Sequence, residues 1–188
     1  MCEPADAKNI DVEIKNARAT LIRATEKVFG FSLYRSIHEA DAGVGSNLRL
    51  PLNDEWMEFD ACLAACAKAF VDYLNEKQIE QAAQADLVVF RAANPGREVR
   101  GIDKLEVWLG SVGADADILE GVKSLRLVQL LRSRSSAHGK SSGFFDLIKE
   151  KGGNPTKPRE TLRKLVLVPL VEFCHKLTCF VETKKTAP

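Results

Sequence analysis

Long apolar runs are missing from this 188-residue chain. The stretch Leu165 to Leu170 has six apolar residues with Pro169 among them, far short of the roughly 18–20 needed to span a bilayer. Five cysteines make an odd count and include no Cys-x-x-Cys pair, so neither a disulfide framework nor a zinc finger describes the sequence. No run of residues alternates in the manner of a half-buried strand between turn signals. The opening Met-Cys-Glu-Pro-Ala-Asp lacks the basic and apolar regions of a secretory signal and is acidic where organelle transit peptides are not. A cytoplasmic location with no membrane partner is therefore expected. Gly43-Val-Gly45 has no following Gly-Lys-Ser/Thr and follows no predicted strand, which excludes a phosphate-binding loop.

What is present is helical periodicity. Ile10, Ile14, Ala17, Leu21, Ala24 and Val28 form one apolar seam that stops at Gly30. Residues 30–52 read as a long connection, with one or two helical turns around Phe31 to Ile37. Asn53 opens a second helix, because its amide can accept orphan backbone N–H bonds and Asp54 and Glu55 suit the positive end of the helix dipole. The seam Trp56, Phe59, Leu63, Cys66, Phe70 and Tyr73 predicts a long helix that continues to the break at 94–100, where Asn94-Pro95-Gly96 forbids continuation.

A short helix over Ile102 to Leu109 follows. Asp117-x-x-Glu120 then has the form of a capping box ahead of Ile118, Val122, Leu125, Val128 and Leu131. Residues 139–157 read as a loop containing a short helix at Phe144 to Ile148. The last helix runs from about Pro158 to Phe180, with Pro169 expected to kink it. The whole predicts one all-α domain over 1–188: an up-and-down four-helix bundle with additional short helices.

Charge is unevenly distributed along the chain. Residues 1–90 carry 9 Lys and Arg against 15 Asp and Glu, whereas residues 91–188 carry 18 against 11, so a net −6 is followed by a net +7. The basic excess is sharpest where Lys123, Arg126, Arg132, Arg134 and Lys140 lie in a stretch with no carboxylate between Glu120 and Asp146. Such a stretch is a candidate anion-binding face. It has no aromatic residue between 121 and 143, so contacts to a nucleic-acid backbone rather than base stacking are expected from it.

Within it, Arg132-Ser-Arg-Ser-Ser-Ala-His138 places a permanently charged fork near a side chain that exchanges protons around neutrality. Together they suffice for metal-free phosphodiester cleavage. His138 would take or give a proton, and Arg132 would offset charge growing on the phosphate oxygens. Positions six apart on a straight helix point about 120° from each other, so the helix must loosen before His138. Ser135, Ser136 and Gly139 are residue types that allow this. One histidine supplies one proton carrier where concerted cleavage wants two, and a twin subunit would supply the second.

The stretches Ile102 to Leu109 and Leu125 to Lys140 resemble the HEPN superfamily of helical domains, whose signature R-x(4–6)-H is matched by Arg132 and His138. The likeness covers roughly residues 100–142. It implies a HEPN-like fold and a metal-independent endoribonuclease that needs no cofactor. It also implies a homodimer whose two motifs build one cleft in a toxin–antitoxin or antiphage setting, with an antitoxin or larger defence complex as a further partner. Arg132 and His138 are then catalytic, while Arg134, Lys140, Arg126, Ser133, Ser135 and Ser136 contact RNA. A competing reading is a non-catalytic helical module that binds a partner protein or RNA backbone. In it, Arg132 neutralises a helix end and His138 caps its carbonyls.

Cys62 and Cys66 on the second helix, with Cys174, His175 and Cys179 on the last, form a weaker alternative as an interhelical metal site. Cysteine on an apolar helical stripe is more often a small core residue. His38, in the long connection, reads as a surface residue that would become a spare proton carrier if the fold brought it near the cleft.

Overall fold

The computed structural model describes residues 9–41, 43–136 and 140–185. Ten α-helices account for most of them: α1 Ile10–Phe29, α2 Gly43–Asn47, α3 Trp56–Ala67, α4 Glu76–Ala82, α5 Gln84–Ala93, α6 Gly101–Ser111, α7 Ala116–Ser136, α8 Ser142–Glu150, α9 Pro158–Leu162 and α10 Val168–Lys185. Among the described residues there is no strand, and the all-α class stands. Among the described residues no helix is long and apolar enough to cross a membrane.

Helix α10 lies between α1 and α7, and α7 also packs along α3. The seam of α1 buries Ile14, Ala17, Leu21 and Ala24. Its ends follow the sequence signals: the Asn9 side chain accepts the N–H of Asp11, and Gly30 at φ +74° closes the helix by donating its N–H to the Glu26 carbonyl. On α7, Gly121 is a packing requirement. A methyl group there would stand 2.6 Å from Phe173 Cδ2, so only glycine lets α10 approach this closely.

Three expectations are revised. The long second helix is broken. After α3 the backbone widens into a π-turn over Lys68–Asp72, in which Tyr73 donates its N–H to the Lys68 carbonyl. The chain then leaves the helix at Tyr73, Leu74 and Asn75. The N–H of Arg35 donates to the Tyr73 carbonyl at 2.8 Å and that of Asn75 to the Leu33 carbonyl at 2.9 Å, with Tyr34 and Leu74 as an isolated antiparallel pair. The apolar patch around Phe31 is thus extended rather than helical, because its backbone bonds go to this crossing.

Second, α7 starts two residues earlier than the Asp117–Glu120 box implied. Asp115 caps it by accepting the Ile118 N–H at 2.9 Å, and Glu120 pairs with Lys123 instead. Third, the last helix is not regular from Pro158: it widens one turn before Pro169 into a π-turn over Arg163–Leu167. Here Val168 donates to the Arg163 carbonyl, a spacing that accommodates a residue with no N–H to give.

Arg18 ties this architecture together from inside. It is buried, and its Nε donates to the Ala69 carbonyl at 3.1 Å, inside the first π-turn. Its guanidinium lies over the Tyr34 ring at 4.8 Å. Burial lowers the Arg18 pKa and raises that of Tyr34 well above the usual phenol value.

Candidate functional site

The basic end of α7 meets its acids on α3 and the π-turn that follows it. Arg132 donates from both terminal nitrogens to Asp72, at 2.6 Å and 2.9 Å, forming a two-pronged pair. Asp72 closes the π-turn, and its carbonyl also accepts from Arg35 Nη2 at 2.5 Å. Farther back on α3, one carboxylate serves two groups: Asp60 accepts from the Ser135 hydroxyl on one oxygen and from Lys140 Nζ on the other, the latter at 2.5 Å. Lys140 Nζ also lies over the rings of Trp56, at 5.3 Å, and Phe144, at 5.9 Å. The segment between Ser135 and Lys140 is therefore fastened at both flanks to the same side chain.

The π-turn explains how α3 can reach both places. Positions twelve apart on a regular α-helix point about 120° from each other. The extra residue taken up by a π-turn reduces that offset to about 20°.

The other cations of the acid-free stretch also have partners, of different kinds. Lys123 pairs with Glu120, and Arg126 donates to Asp103 at 2.9 Å and to Glu106. Asp103 further accepts from Arg97 at 2.7 Å and from the Arg100 N–H at 3.3 Å. Burial would raise the Asp103 pKa, but the hydrogen bond from Arg126, that from the Arg100 backbone and the surrounding positive charge hold it below the ordinary carboxylate value. Arg134 is exposed and donates to the Gly143 carbonyl at 3.2 Å. The Ser133 hydroxyl donates to the Leu130 carbonyl of its own helix. The Ser136 side chain and all of His138 lie outside the described residues.

His38 lies at the same end of α3 as Asp72. Its backbone N–H donates to the Tyr73 hydroxyl at 3.0 Å, and that hydroxyl donates to Asp41 at 2.5 Å. Hydrogen bonds from Lys68 and then Tyr73 lower the Asp41 pKa.

Among the described residues, no group of three His, Cys, Asp or Glu side chains is placed to hold a metal ion. Cys62, Cys66 and Cys174 are buried, and burial pushes the Cys62 thiol up to about 11 and that of Cys174 to about 12. Such thiols are core residues rather than nucleophiles at neutral pH. Cys179 is exposed.

Sequence reasoning missed both Asp72 and Asp60 as partners of the basic stretch. Nothing local marks either residue. The available signal was the acid-free stretch itself, which implied that its counter-charges come from distant positions. The chain matches no family model, no curated protein and no solved structure.

Proposed function

We propose that this chain is a cytoplasmic, metal-independent endoribonuclease of HEPN type with a toxin–antitoxin or antiphage role. The ribose 2′-hydroxyl attacks the adjacent phosphorus, His138 takes its proton, and the P–O5′ bond breaks as the twin subunit's copy of the same histidine protonates the departing oxygen. A 2′,3′-cyclic phosphate is left. Arg132 offsets the charge that builds on the non-bridging oxygens, and Arg134 contacts the RNA backbone.

The observation that carries this reading is the pair between Arg132 and Asp72. It fixes a guanidinium at the surface, with its side chain 32% exposed, at the end of the helix that leads to His138. The fastening of Ser135 and Lys140 by Asp60 supports it, since a catalytic loop needs rigid flanks. Ser135 and Lys140 then act as supports more than as RNA contacts.

The test is cleavage of single-stranded RNA by the purified protein in EDTA. Activity should persist in the chelator and disappear in His138→Ala, with the fold intact by circular dichroism. Sedimentation should show a dimer.

A second reading, a non-catalytic helical module that binds a partner protein or RNA backbone, is favoured by one observation: Arg126, Arg132 and Lys140 all have carboxylate partners within the fold. An inactive wild-type protein decides for it.

A further inference from the structure

The π-turn after α3 strands one carbonyl. In a regular helix the Ala69 carbonyl would accept the N–H of Tyr73. Here the Tyr73 N–H goes to the Lys68 carbonyl instead, at 3.0 Å, and the next amide, that of Leu74, goes to Val71 at 3.2 Å. Ala69 is wholly buried, so water does not reach its carbonyl. A buried carbonyl left unpaired costs free energy, and that cost favours closing the turn back to a regular helix.

Arg18 supplies the missing donor from α1. Its Nε–H reaches the Ala69 carbonyl at 3.1 Å, and its guanidinium rests on the Tyr34 ring at 4.8 Å from the centroid. Nη2 is buried with no hydrogen-bond partner among the described residues. Burying a guanidinium costs free energy that an apolar side chain of similar length would not. What arginine does here that such a side chain would not is to donate to the stranded carbonyl and to set a cation on the ring.

The same turn decides where Asp72 points. With its extra residue it brings Asp72 round to Arg132; closed to a regular helix, it would leave Asp72 about 100° away around the axis. The turn is thus an element with two arrangements, and the stranded carbonyl exists in only one of them.

We infer that Arg18 is a positioning residue for Arg132: by satisfying the Ala69 carbonyl it holds the π-turn open, and the open turn delivers Asp72 to the Arg132 guanidinium. The link runs from the interior of the bundle to its surface through one backbone oxygen. Its effect on RNA cleavage rests on the ribonuclease reading; the link between the two arginines does not.

The experiment is NMR on the isotopically labelled full chain. In Arg18→Met the Nε–H signal of Arg132 should move to where Asp72→Ala puts it, and the Tyr73 amide should exchange at least about tenfold faster than in the wild type. Arg18→Lys keeps a donor and should return both towards the wild-type values. RNA cleavage should fall in Arg18→Met by at least about tenfold, as in Asp72→Ala. A folded Arg18→Met protein whose Arg132 signal stays at the wild-type position overturns the inference, and so does an Arg18→Lys protein no nearer to the wild type than Arg18→Met. Should Arg18→Met not fold, the wild type decides: the Arg18 Nε–H has to exchange as slowly as the buried amides of α3, and exchange at the rate of an exposed guanidinium overturns the inference. A wild type that cuts no RNA removes the ribonuclease and leaves the link, which the Arg132 signal reads without RNA. Undiminished cleavage with an unmoved Arg132 signal does the reverse.

Discussion

Arg132 and Asp72, sixty residues apart in the chain, meet through two parallel hydrogen bonds at 2.6 Å and 2.9 Å. The pair is partly exposed, so its contribution to folding is small, about 0.2–1 kcal/mol. Its larger effect is orientation. Asp72→Ala should leave thermal stability within about 1 kcal/mol and lower RNA cleavage by at least about tenfold, because a guanidinium without its anchor samples many rotamers. Arg132→Lys keeps the charge, loses the fork and should fall with it. Cleavage kinetics beside a urea melt check both. Full activity in Asp72→Ala would mean that Arg132 needs no anchor from Asp72.

Asp60 holds both flanks of the segment that contains His138. Asp60→Ala leaves the Ser135 hydroxyl and the Lys140 ammonium to find water, at an expected cost of about 1–3 kcal/mol. Hydrogen exchange should quicken at the end of α7 and the start of α8 while α1 is unaffected. Lys140→Met keeps the aliphatic contact with Trp56 and Phe144 and loses the charge, so it should cost less than Asp60→Ala.

Asp103 gives the fold a defined acid sensitivity. Its folded pKa is depressed, so the native state holds its charged form more tightly than the unfolded chain does. The resulting stability is fully present above the unfolded value of about 3.9 and is lost as pH falls through the lower folded value. Asp103→Asn should destabilise the protein by about 1–3 kcal/mol at pH 7 and flatten the fall in stability below about pH 4. Urea melts at several acidic pH values measure the slope directly.

Two tyrosines make a paired prediction. The Tyr34 hydroxyl is buried with no hydrogen-bond partner among the described residues, whereas the Tyr73 hydroxyl accepts from the His38 N–H and donates to Asp41. Tyr34→Phe removes an uncompensated polar group and should be neutral or stabilising by up to about 1 kcal/mol. Tyr73→Phe should cost about 1–2 kcal/mol. Thermal melts should show Tyr73→Phe lowered and Tyr34→Phe unchanged or raised, and a clear loss of stability in Tyr34→Phe would mean that its hydroxyl has a partner.

Much of the fold was legible in the sequence because helix periodicity is a local property. The seam from Ile10 to Val28 gave α1 nearly to the residue, and the glycine stop at Gly30 acts as expected. The short helix near Ile102 and the capped helix into the basic stretch were also recoverable. Where the pattern misled, tertiary competition was the cause. Phe70 and Tyr73 keep helical spacing, yet the chain turns away at Tyr73 because Leu33 and Arg35 offer its backbone other partners. The excess of cations over Lys123 to Lys140 was plain, but its meaning was not, since Asp60 and Asp72, and Asp103 and Glu106, reach it from distant parts of the chain.

The sequence by itself determined most of the helices, their buried faces and the presence of an arginine and a histidine in one short basic stretch, because side-chain spacing and capping act over a few residues. Only the tertiary structure decided that Asp72 grips Arg132 and that Asp60 holds both Ser135 and Lys140. Those outcomes depend on how distant helices cross and on one extra residue in a π-turn, which shifts a carboxylate around the helix axis by about 100°.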